Sequence, residues 1–148
     1  MRIIVDTNII FSALLNSDGN IGDLLFNSGG VFDFYSCSYM RLEIQKHWQR
    51  LKQISGLDDE RLEVSYIQVL SKLNFINEEI INSEIWVTAE NLVKEIDIDD
   101  ADFVALTLFL DGYLWTGDKV LYGGLRRSVF TQMFNTAELF NVRLGIGA

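Results

Sequence analysis

Apolar and polar residues follow one another in short blocks along this chain. The run Arg2-Ile3-Ile4-Val5 stops on Asp6, and Ile9 to Leu15 continues with helical spacing into the turn-prone Asn16-Ser17-Asp18-Gly19-Asn20. A second short helix is predicted over Ile21 to Asn27, and the aromatic-rich Val31 to Cys37 predicts strand two. Ser38 to Ile54 reads as one helix, with Ile44, Trp48 and Leu51 at i, i+4 and i+7. Ser55-Gly56 stops it, and another helix runs from Asp58 to Leu73. A short edge strand falls within Phe75 to Ile81.

Ser83 caps a helix reaching Glu95, and Asp99 or Asp100 caps the next, which ends at Asp111-Gly112. Tyr113 to Thr116 is a strand and Asp118 to Leu125 a short helix. Val129 to Thr131 predicts a last strand, and a helix follows near Thr136 to Phe140. Strands alternating with helices define an α/β fold: a three-layer, Rossmann-like sandwich with a mostly parallel central sheet covered by helices. The 148 residues form one domain, 1–148, large enough to bury roughly 70% of the unfolded surface.

Composition narrows the function. Hydrophobic residues make up 49% of the chain, which favours a packed core over disorder. No apolar run approaches the roughly 20 residues of a membrane span, and no signal peptide is legible, so the expectation is a cytoplasmic protein without membrane contact. One cysteine, Cys37, and one histidine, His47, argue against a disulfide and a Cys/His zinc site. Cys37 reads as a small buried residue. The net charge of −9, from 21 acidic and 12 basic residues, argues against a scaffold for gripping duplex phosphates, whose affinity comes from counterion release. A bound divalent cation would reverse that charge locally. Proline is absent from the sequence, which has no functional reading.

The carboxylates carry the chemistry. Asp6 and Asp118 each follow an apolar strand, at the carboxyl edge where open α/β sheets place ligands. Asp97, Asp99, Asp100 and Asp102 crowd the start of the apolar segment Phe103 to Leu108. Each has a structural alternative: Asp6 and Asp100 as helix caps worth about 1 kcal/mol, Asp118 as a turn residue, Glu43 as a solvated helix face. Clustered carboxylates nonetheless suit a hard divalent cation, and that points to a metal-dependent enzyme acting on phosphate. Lys46, His47 and Arg50 follow Glu43 at i+3, i+4 and i+7, a row that either guides substrate phosphates or is plain surface. Glu78 and Glu79 sit in polar contexts that need no function.

Val5-Asp6-Thr7-Asn8, then Glu43, then Asp100-Ala101-Asp102-Phe103-Val104-Ala105-Leu106, then Thr116-Gly117-Asp118 resemble the PIN-domain family in order and spacing. That family is best known for the VapC-type ribonuclease toxins of bacterial and archaeal toxin–antitoxin pairs. The resemblance covers almost the whole chain and implies a PIN-like fold. It implies Asp6, Glu43, Asp100 and Asp118 as catalytic carboxylates holding Mg2+ or Mn2+, with Asn8 and Thr116 beside them; Asp99 and Asp102, which flank Asp100, depart from the family's common third motif. It implies an RNA substrate, a small antitoxin protein as partner, and a homodimer as one assembly; the helical spacing, not the resemblance, offers Lys46 and Arg50 to that substrate. Two rivals stand beside it. One is a non-catalytic binding module of the same fold. The other is an aspartate-based phosphatase or phosphoacceptor, although such phosphatases place Asp where this chain has Asn8.

Overall fold

A computed structural model of the protein describes residues 1–147. The first half runs β1 (Arg2–Val5), α1 (Thr7–Leu15), α2 (Asn20–Phe26), β2 (Asp33–Cys37), α3 (Ser38–Lys46), α4 (Trp48–Ser55), α5 (Asp59–Leu70) and β3 (Leu73–Ile76). The second runs α6 (Ser83–Val93), α7 (Ala101–Leu110), β4 (Tyr113–Trp115), α8 (Lys119–Arg127), β5 (Met133–Phe134) and α9 (Thr136–Gly147). Short 3-10 turns occupy Glu78–Ile80 and Ile98–Asp100. Among the described residues no helix is long and apolar enough to cross a membrane.

The five strands form one sheet in the order β3-β2-β1-β4-β5, and every pairing is parallel. β1 lies at the centre, with Ile3, Ile4 and Val5 wholly buried. Consecutive apolar residues suit a strand covered on both faces. The apolar segment that follows the acidic cluster becomes α7, which packs across β1, β2 and β4 and carries α6 on its outer side. α1 gathers α2, α3, α4 and α5 into a second helical layer. The chain leaves β1 toward β2 and β3 and later returns to β1's other side as β4. The order therefore reverses between β1 and β4, the crevice where such sheets take ligands. Gly112 lets β4 come in beside β1, since a Cβ there would meet Arg2 O and Ile4 Cδ1, each at 2.7 Å.

Several boundaries differ from the sequence reading: the helix predicted to reach Leu73 ends at Leu70, the cap predicted at Ser83 is Asn82, and the last helix runs on to Gly147. α1 begins at Thr7, so Asn8 lies inside it. The predicted helix over 38–54 is two helices, broken at His47, whose φ of −105° and ψ of 14° leave the helical region. β3 starts earlier than expected. The last strand is Met133–Phe134, not Val129 to Thr131; Val129 is 94% exposed, whereas Met133 is buried and Phe134 stacks on Tyr113 with ring centroids 4.8 Å apart.

Candidate metal centre

The reversal between β1 and β4 puts Asp6 and Asp118 side by side. Asp6 leaves the buried end of β1 and is itself only 4% exposed. It occupies the cap position of α1 but makes no side-chain cap bond. Its Oδ2 instead accepts from Thr116 Oγ1 at 2.8 Å and from Asn8 Nδ2 at 3.1 Å. Asn8 also accepts from the Gly117 N–H at 3.0 Å, which ties the first turn of α1 to the end of β4. Thr116, buried, receives the Asp118 N–H at 3.0 Å. Asp118 does cap: its Oδ1 accepts from the backbone N–H groups of Val120 and Leu121 at the head of α8.

Glu43 reaches the same place from α3, and Thr7 Oγ1 donates to its Oε1 at 2.5 Å. The 3-10 turn before α7 supplies Asp97, Asp99 and Asp100. Asp97 Oδ1 accepts from the Asp99 N–H, which shapes the turn. Asp100 makes no cap bond, and its Oδ2 is a buried side-chain oxygen with no hydrogen-bond partner at all. Asp6, Glu43, Asp97, Asp99, Asp100 and Asp118 thus line one cleft of about 380 Å³.

The electrostatics follow from this crowding. Burial, opposed by the donors from Thr116 and the Thr7 backbone and assisted by Glu43 and Asp118, raises Asp6 to about 6. Burial first, then Asp6, Asp97, Asp118 and Glu43, pushes Asp100 up to about 8. Burial also raises Glu43, which the Thr7 hydroxyl partly offsets. A bound cation would relieve the repulsion among these carboxylates and give the unpartnered buried oxygen a partner. The donors are hard oxygens, which fits magnesium or manganese better than a soft metal.

The structure brings Asp6, Asn8, Glu43, Asp99, Asp100 and Asp118 to this cleft, with Thr116 bonded behind Asp6. Arg50 also borders it. Lys46, at the exposed end of α3, does not. Asp102 points elsewhere: its carboxylate groups with Glu78 and the Cys37 thiol, ligand atoms within 4.8 Å of one another. Glu78 is already engaged, accepting from the Ser38 and Tyr39 N–H groups at the head of α3. Cys37 is buried, and burial with the nearby Glu78 pushes its thiol well above the ordinary range.

Sequence reasoning missed two residues with roles here. Thr7 had a legible signal, a hydroxyl next to Asp6. Glu78 had none, since its partners lie about forty residues away.

The family model for the PIN domain matches residues 4–138. The chain belongs to the PIN-domain family. Among the solved structures that share its fold are two of VapBC proteins. One is the crystal structure of VapBC2 from Rickettsia felis bound to a DNA fragment from their promoter. It matches with a TM-score of 0.70 and 15% identity, over 91% of this chain and 98% of the matched chain. The other is VapBC-1 from nontypeable Haemophilus influenzae, with a TM-score of 0.64 and 16% identity, over 93% of this chain and 99% of the matched chain. No curated protein matches.

Proposed function

We propose that this protein is a divalent-metal-dependent endoribonuclease that hydrolyses RNA phosphodiesters in the cytoplasm. The observation that carries the reading is the buried Asp100 Oδ2, unpartnered in a cleft where burial first, and then the neighbouring carboxylates, raise its pKa to about 8. Asp6, Glu43, Asp100 and Asp118 would hold Mg2+ or Mn2+, with Asp99 beside them. When bound, such a cation would acidify water and offset charge developing on the phosphodiester. The chain's own residues prepare that site. Thr116 and Asn8 fix the Asp6 carboxylate, Thr7 fixes Glu43, and the α8 amides fix Asp118, so the ligands need little reorganisation.

The two similar structures are of VapBC proteins, and their fold supports reading this chain as the toxin of a toxin–antitoxin pair with a small antitoxin as partner. Incubation of RNA with the protein in Mg2+ or Mn2+, in chelator, and with Asp6→Asn tests the activity. Cleavage only by the parent with metal is expected; full activity in chelator or in the variant overturns the mechanism.

A further inference from the structure

β4 lies across β1 from β2, so α8, which follows β4, leaves the acidic cleft on the side away from α3 and α4. Asp118 both lines the cleft and caps α8, and Lys119 is the next residue. Leu121 and Leu125, one turn apart, are wholly buried and fix the inward face of α8, which packs on α6. At about 100° per residue, Lys119, Gly123 and Arg127 then share the opposite face, with Arg126 beside them. All three basic side chains are exposed.

In a chain of net charge −9, this helix carries three basic residues and no acidic one, the largest basic excess of any described helix. Among the described residues, the basic side chains held in ion pairs are Lys52 and Arg143, so the charges on α8 are not cancelled this way. Arg126 donates to the Tyr122 hydroxyl at 3.0 Å, which in turn donates to Glu138. Lys119 and Arg127 have no such tether. Arg127 folds back along the helix, with Nη1 3.7 Å from the place a Cβ on Gly123 would take.

The two glycines of α8 have different reasons. Gly124 is required by packing, because a Cβ there would meet Ile96 Cδ1 at 2.5 Å. Gly123 is not: a Cβ would meet only Arg127 Nη1, at an ordinary contact distance. Glycine is less favourable than alanine inside a helix, so Gly123 costs stability without a gain in packing. Its effect is a bare patch of backbone between Lys119 and Arg127. From one to the other the helix rises about 12 Å, room for about three phosphates of a stacked strand.

We propose that the outer face of α8 is the phosphate track by which an RNA strand leaves the metal centre, with Lys119 and Arg127 neutralising two of its phosphates and Gly123 admitting the sugar–phosphate backbone between them. The proposal rests on the ribonuclease reading above. It is tested with the manganese-loaded protein and a single-stranded oligoribonucleotide with one cut, by measuring KM and kcat across a salt series.

Replacing Lys119 and Arg127 together by Ala removes two phosphate contacts. The slope of log KM against log salt should fall by about 1.4, so that between roughly 50 and 200 mM salt KM rises about sevenfold less than in the parent. The kcat, the Tm and the Mn2+ affinity should stay near the parent's values. Gly123→Gln and Gly123→Glu, nearly equal in size, place a neutral and a negative group in the middle of the track and keep the test independent of the double variant's folding. Gly123→Glu should raise KM several-fold above Gly123→Gln, and equal values overturn the track. An unchanged salt slope in the double variant also overturns it, while cleavage by the parent leaves the ribonuclease reading intact. So does a double variant that keeps its RNA kinetics but loses binding of poly-glutamate, which would give α8 to an acidic protein partner. A parent that cleaves no RNA overturns the ribonuclease reading itself, and the track falls with it.

Discussion

Asp100 and Asp102 are two residues apart, yet they serve opposite environments. Asp100 joins five other carboxylates in the cleft, with an oxygen that nothing in the protein satisfies. Asp102 turns to the far side of the α7 terminus, against Glu78 and Cys37. There the negative charge already has partners. Burial drives Glu78 upward, but its own backbone N–H, the Tyr39 N–H, the Cys37 thiol and Ser38 outweigh it, and its pKa is lowered. Burial and Glu78 raise Asp102 to about 6. The difference teaches that density of acidic residues does not define a cation site. What sets the cleft apart is a buried carboxylate oxygen, Asp100 Oδ2, that no donor satisfies.

The sharpest test of that contrast is a pair of variants at matched chemistry. Asp6→Asn should lower cleavage by more than the roughly 10- to 100-fold typical of residues behind the ligands. Asp102→Asn should leave the Mn2+ affinity, read by titration calorimetry, at the parent's value. Loss of manganese binding in Asp102→Asn would merge the two regions into one site.

Stability without metal should separate them next. Asp6 and Asp100 have folded pKa values of about 6 and about 8, above their ordinary value of 3.8. Groups raised in this way favour the folded state when protonated, so their stabilisation is lost as pH rises through 6 to 8. Melting curves in chelator should therefore show Tm falling from pH 5 to pH 8.5, and saturating Mn2+ should flatten that slope. Asp100→Asn removes the repulsion, and at pH 8 without metal it should melt above the parent, by about 2–4 °C per kcal/mol relieved. A lower Tm in that variant would mean the carboxylate is satisfied after all.

In the other region the sign reverses. Glu78→Ala leaves the first amides of α3 without their acceptor and should cost roughly 1–3 kcal/mol by urea unfolding, with or without manganese. The smallest effect is expected at the basic residues. Arg50→Ala should reduce the salt slope of RNA binding by about 1, and Lys46→Ala should not. Equal slopes for both would show that the row acts as a unit despite the break at His47.

The fold was largely legible because its signals are local. β1, α7 and β4 are apolar runs bounded by acids or glycine, and their burial matches their composition. The break at His47 was hidden, because Ile44, Trp48 and Leu51 keep helical spacing across it and no Gly or Pro marks it. β5 was misplaced because Val129 is as strand-like as Met133, and only pairing with β4 decides between them. In the site, residues that follow strand ends were readable from the strands alone. The division of Asp99 and Asp100 from Asp102 was not, since it depends on a 3-10 turn giving way to a helix between them.

The order of the strands also sets when this site comes into being. A chain still emerging from the ribosome, made as far as α7, already contains Asp6, Glu43 and Asp100. It lacks β4, and with it Asp118 and the Thr116 hydroxyl that holds Asp6 in place. Parallel pairing of β1 with β4 spans most of the sequence, so it is among the slow, non-local contacts of folding. The carboxylate set is therefore completed late in synthesis, and a partly made copy beside its own messenger lacks the full constellation.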